Sequence, residues 1–279
     1  MAATLQTLNS PAPSRWQTAV RWSGAGLVAA SWFSAAFFGA YIFAFYIGAI
    51  LSGRFDTWNQ NLSGIYDKNH TAALIAIGAH MVVGAILLLL GPIQLIGRVR
   101  SRWPRLHRWL GRVYVACGAL AGIGGLGFIA FKGTIGGAAM NAGFGLYGVL
   151  MVVSAVQAWR FAVRRQFDRH RVWAVRLFAL TIGSCLYRMD YGLWFTATNG
   201  LWSHENFRGG FDVFMSFFFY LPNLLVAELY LRGLRLKPSR LLLGASATLL
   251  GLAALVVAVG TYYFVHFYWG PAILAAIKR

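Results

Sequence analysis

Long apolar runs, most of them ending in short blocks of arginine, dominate this chain. Several runs approach or exceed the ~20 residues that a helix needs to cross a bilayer. In lipid each backbone N–H and C=O must be bonded within its own segment, so runs of this length are helices. The alternating pattern of a membrane β-barrel is absent from the sequence. Charged residues are 11% of the chain, against about 25% in a soluble domain, too few to cover a surface that faces water. The sequence therefore specifies an all-α fold, a polytopic integral membrane helical bundle.

The runs give about seven transmembrane helices, at residues 23–51, 71–96, 106–131, 138–163, 172–198, 211–231 and 241–267. Residues 1–22 carry Ser, Pro and Thr without apolar periodicity and read as a mobile cytoplasmic tail. Residues 23–267 form a single transmembrane domain, and 268–279 a short external tail. The first run is too long for the core of a cleaved signal peptide. Trp22, Trp58, Trp103, Trp109, Trp194, Trp202 and Trp269 fall near the ends of runs, where aromatic rings sit at the interface. Gly118, Gly122 and Gly125 share a face of the third span, and Gly145 and Gly148 a face of the fourth. Such stripes let helix backbones approach closely in lipid.

Arginine placement gives the direction. Arg15 and Arg21 precede the first span. Arg98, Arg100, Arg102, Arg105, Arg108 and Arg112 lie about the turn between the second and third spans. Arg160, Arg164, Arg165, Arg169, Arg171 and Arg176 lie about the next such turn, and Arg232, Arg235, Lys237 and Arg240 about the last. The alternate side holds only Arg54, Lys68, Lys132, Arg208, Lys278 and Arg279. By the positive-inside rule the chain runs N-in/C-out across the plasma (inner) membrane. The net charge of +18 thus belongs to helix ends rather than to a basic face for nucleic acid. Cys117 and Cys185 both lie within spans, without C-x-x-C or zinc spacing, and read as apolar packing.

Two turns carry the most distinctive residues. Trp103 to Tyr114 reads W-P-x-L-H-R-W-x-G-R-x-Y, and His170 to Arg176 reads H-R-x-W-x-x-R. His80 precedes them within a span; Arg188, Asn223 and Glu228 follow. This order resembles the DUF2306 family of predicted bacterial membrane proteins, over about residues 71–232. The first and last spans fall outside the resemblance. It implies membrane location and no assigned chemistry, so no catalytic role carries over.

Ionisable groups inside a membrane are expensive, and each is a site candidate. His80 shares a helix face with Gly84, Leu87, Gly91 and Gln94, which leaves room either for a flat ligand or for a close helix. A hydrogen bond to a neighbouring helix and a role as haem ligand or proton carrier are both open. Arg188 lies at similar depth and needs a partner; Asp190, nearly opposite on the same helix, is not placed to supply one. Asn141, at the end of the fourth span, is near enough in depth to join. These four residues, His80, Arg188, Asn141 and Asp190, form the candidate ligand-binding set. At the cytoplasmic face His107, Arg108, His170 and Arg171 form a second candidate, for anionic ligands or lipid headgroups. Glu228 has Arg232 four residues on as its simplest partner.

The reading that follows is an accessory or ligand- and lipid-binding membrane subunit, with membrane lipids, a small ligand or another membrane protein as partners. One alternative is a b-type haem electron-transfer protein using His80, His107 and His170. It lacks a second histidine at the depth of His80 in the second to fifth spans, leaving His266 as the other choice on that side. The other alternative is a small-molecule transporter. No hydrolase or kinase motif is present, and no enzyme class is assigned.

Overall fold

The computed structural model describes residues 14–60, 65–233 and 239–277, and side chains throughout these except at 232 and 233. Residues 1–13 of the expected tail, Arg235 and Lys237 of the last basic turn, Lys278, Arg279 and the Arg232 side chain lie outside the described set. Among the described residues every regular element is helical. Among these residues seven helices are long and apolar enough to cross a membrane: Arg15–Leu51, Thr71–Leu95, Pro104–Phe131, Gly137–Val163, Phe167–Thr198, Gly210–Leu231 and Arg240–Ile277.

The first span begins before the apolar run does. Ser14 caps it: its hydroxyl accepts from the Gln17 N–H, and its own N–H donates to the Gln17 side chain, a reciprocal box that satisfies two otherwise free donors. Residues Arg15 to Trp22, expected as tail, are therefore helical, and Trp16 lies over Gly244 of the seventh span. The seventh helix likewise continues past residue 267 to Ile277, through a π turn at Val265–Trp269.

Successive spans alternate in direction. Second and third pair His80 with Gly124 and Gly91 with Tyr114; fourth and fifth pair Phe144 with Tyr187 and Ala158 with His170. The first and seventh run parallel, with Trp16 over Gly244 at one end and Phe38 against Trp269 at the other, ring centroids 5.3 Å apart. The fifth span is the hub. It packs against the first, second, fourth, sixth and seventh and bonds the third through Tyr114 and Thr181. The remaining six ring it, and the sixth and seventh barely touch. The described arginine turns, around 96–103 and 164–166, lie at one end of the bundle, here the basic end; the described loop residues 52–60, 65–70, 132–136 and 199–209 lie at the other, the loop end.

Three spans are interrupted. The sixth breaks at Phe219–Tyr220 because Pro222 lacks an N–H and its ring crowds the carbonyl four residues back. The π turn of the seventh precedes Pro271 for the same reason. The first span has a π turn at Phe43–Ile47; there the indole N–H of Trp58, folded back from the loop, donates to the Tyr46 carbonyl at 3.2 Å. Trp58 is 1% exposed, so it is a core residue and not the interfacial ring its position suggested.

The glycine stripes divide by function. A Cβ at Gly122 would stand 2.8 Å from the Gly148 carbonyl oxygen, so the third and fourth spans cross backbone to backbone. Gly125 faces His80 of the second span instead, and Gly145 meets nothing within 4 Å. Gly145 is therefore not part of the crossing expected of it.

Candidate functional site

His80 and Arg188 lie roughly 15 Å from the loop end of their helices at ~1.5 Å per residue, close to the middle of a ~30 Å hydrocarbon core. The His80 Nδ1–H donates to the Ala121 carbonyl of the third span at 2.8 Å. That bond fixes the neutral tautomer and leaves the lone pair on Nε2. Gly124 and Gly125 make the contact: a Cβ at either would stand 3.3–3.4 Å from His80 atoms. Of the small residues on His80's own face, Gly91 packs on Tyr114 and Phe178, while Gly84 meets nothing within 4 Å.

Arg188 projects from the hub helix toward the first span. Its guanidinium stacks over Phe38 at 5.0 Å and donates to the Ser184 carbonyl of its own helix. The Tyr46 hydroxyl, presented from the π turn, is within hydrogen-bonding reach, and the Arg188 charge bears on His80. Phe38 and Tyr46 are both 1% exposed. Among the described residues no carboxylate forms an ion pair with Arg188. Asp190, half-buried on the opposite side of the helix, has none either. Asn141 is engaged elsewhere: its side-chain oxygen accepts from the Thr134 N–H and hydroxyl, both at 2.7 Å, and so holds the turn after the third span.

At the basic end the two family-like turns resolve into contacts. His107, Gly111 and Tyr114 share one inward face of the third span. Tyr114 bonds Thr181 at 3.2 Å and packs on Gly91, and the Gln94 side chain lies over Gly111. From the second turn, the His170 Nδ1–H donates to the Ala158 carbonyl. Arg176 stacks on Trp173 at 4.5 Å and pairs with Glu228 of the sixth span. Glu228 thus bridges between helices through Arg176; the side chain of Arg232, its expected partner, lies outside the described set. His107 and His170 lie within electrostatic reach of each other, whereas Arg108 and Arg171 are exposed.

These contacts are the residues on which the family likeness rests, and the comparison decides it: a DUF2306 predicted membrane protein family model matches residues 77–231. The chain belongs to the DUF2306 family. No curated protein and no solved structure matches it. In this DUF2306 chain, among the described residues, no group of three or more His, Cys, Asp or Glu converges to hold a metal ion. His266 is exposed and stacks on Tyr262.

One buried polar centre went unread in the sequence. Asp212 is 0% exposed. Its Oδ1 accepts from the Tyr191 and Ser203 hydroxyls at 2.8 and 2.7 Å, and its Oδ2 from the His204 and Gly209 N–H groups at 3.0 and 2.9 Å. It locks the 199–209 loop to the hub. The available signal was an acid in the first turn of a helix after Gly209-Gly210. At the same end, outside the spans, Asp67 joins the first loop to the end of the third span through Lys132. The Asn69 backbone N–H, then His70, hold its carboxyl below the usual range.

Proposed function

We propose that this protein is a ligand-binding subunit of the plasma (inner) membrane, and that its core site takes a small anionic ligand at Arg188. One observation carries this reading. A guanidinium at mid-depth has aromatic faces, a phenol and a carbonyl around it but no carboxylate among the described residues. A permanent cation left without a counter-charge in the membrane costs several kcal/mol, which an anionic occupant removes. Tyr46 supplies a hydroxyl donor, and His80 Nε2 either accepts from a protonated ligand or, once charged, donates to an anion. A carrier role is a second reading, favoured by the helix interruptions, since unwound turns at mid-membrane accompany substrate sites in transporters. Tyr46 sits in the π turn of the first span, a distortion that stays helical.

The test compares Arg188→Gln and His80→Gln in the purified full chain, measuring melting temperature and co-purified ligand on the same samples. A binding site predicts loss of the retained anion at near-normal melting temperature. Lower melting temperature with no ligand in the wild type would make the pair structural and overturn the proposal.

The orientation of the reading is N-in/C-out, with the basic end cytoplasmic, where anionic lipids and a partner membrane protein are met. Reporter fusions after Arg235 are expected to read cytoplasmic, and C-terminal fusions periplasmic. The reverse pair of signals would place the arginine turns outside.

A further inference from the structure

The facing basic ends of the second and third spans contain polar atoms that the fold leaves unpaired. Gln94 Nε2 and His107 Nδ1 are both shut off from solvent and have no hydrogen-bond partner. They are neighbours: the Gln94 side chain lies over Gly111, with its oxygen 3.3 Å from where a Cβ would stand, and His107 is one turn before Gly111 on the same face. A buried amide N–H and a buried imidazole nitrogen without partners each cost about 1–3 kcal/mol. Native structures seldom leave such atoms unpaired.

The charge around them has one sign. The side chains whose charge bears on His107 are Arg100, His170 and Arg108. His170 is fixed in place by its bond to the Ala158 carbonyl. The turn that leads into the third span borders a surface hollow of about 510 Å³ lined by Arg102, Trp103, Pro104, Arg105 and Leu106, the residues just before His107 in the chain. Its lining is largely apolar. An amide N–H and, in its Nδ1–H tautomer, an imidazole N–H in a positive field call for an acceptor that carries negative charge; a neutral water satisfies the hydrogen bonds but not the field.

We propose that this corner of the bundle is a binding site for a phosphate-class oxyanion. Gln94 Nε2 and His107 Nδ1 are its inner donors, and the arginines of the Trp103-Pro104 turn supply the outer charge. The oxyanion belongs either to a phospholipid headgroup, whose glycerol and upper acyl carbons lie along the hollow, or to free phosphate from the aqueous side. The site is separate from Arg188, which lies at mid-depth between the fifth and first spans, whereas Gln94 and His107 lie at the basic end of the second and third.

The experiment uses the full chain in phosphatidylcholine nanodiscs, with two probes: inorganic phosphate in the buffer, and phosphatidylglycerol replacing part of the lipid. Melting temperature and native mass spectra are read for the wild type, Gln94→Leu, His107→Phe and, as a control, Arg165→Gln in the other basic turn. One probe is expected to raise the wild-type melting temperature and to leave a one-to-one adduct. A response to phosphatidylglycerol alone identifies the headgroup as the source; a response to inorganic phosphate identifies the free ion. Gln94→Leu and His107→Phe are each expected to weaken the response by about tenfold or more, the weight of one charge-assisted hydrogen bond, while Arg165→Gln keeps it. Melting without probe shows which variants fold, and Gln94→Leu alone carries the test if His107→Phe does not. No response in the wild type, an undiminished response in folded Gln94→Leu, or equal loss in Arg165→Gln overturns the site.

Discussion

Replacing Asp212 with alanine is expected to cost about 4 kcal/mol or more and to lower yield and melting temperature sharply. The carboxylate is fully buried and accepts four hydrogen bonds. Its removal strands four donors, each worth about 1–3 kcal/mol when left unmade. Asparagine is expected to be far milder, because the four donors differ in kind. Tyr191 and Ser203 are hydroxyls that can rotate and accept from an amide NH2 placed where Oδ1 was. His204 and Gly209 give backbone N–H groups that cannot rotate, and an amide oxygen in place of Oδ2 still serves them. The check is thermal melting of both variants in one detergent. Equal loss from Asp212→Asn and Asp212→Ala would mean that the negative charge, and not the hydrogen-bond pattern, stabilises the loop.

Gly143→Ala is expected to destabilise by about 1–3 kcal/mol, the range for overpacking a tight contact. A Cβ there would stand 2.4 Å from the Ser216 carbonyl oxygen and 2.9 Å from its carbon. The obstacle is backbone of the sixth span, which no side-chain rotation relieves. The same approach lets the Tyr220 hydroxyl donate to the Gly143 carbonyl at 3.2 Å, so separating the helices loses that bond as well. Gly145→Ala, two residues on, meets open space. It is expected to be neutral or to stabilise by up to about 1 kcal/mol, since alanine is the better helix former. Matched melting curves decide it. A Gly145→Ala loss as large as that of Gly143→Ala would show that flexibility, not clearance, governs this helix.

These two positions show where sequence reasoning stopped. Gly143 and Gly145 are indistinguishable in a string of small residues. Which one touches backbone depends on the rotation of the fourth span about its axis, and that is set by Tyr147, Phe144 and the hub helix packing together. Asp212 was overlooked because its partners come from the fifth span, a loop and its own helix start; no local spacing announces them. Trp58 looked interfacial by position and is core by contact.

The sequence by itself determined the helical membrane class, the seven spans, the family and the separation of basic from loop ends. Each follows from a property that acts along one segment: length against bilayer thickness, apolar content against the cost of unpaired backbone, and arginine at helix ends. It also singled out His80 and Arg188, because a polar group in an apolar run is visible without a fold. Only the tertiary structure decided what each of them meets. The fifth span became the hub, His80 was seated on the glycines of the third span, Arg188 was turned onto Phe38 and Tyr46, and Asn141 was committed to the Thr134 turn. Partners across helices are fixed by rotation and depth of rigid rods packed in three dimensions, and those degrees of freedom leave no periodic trace in any one segment.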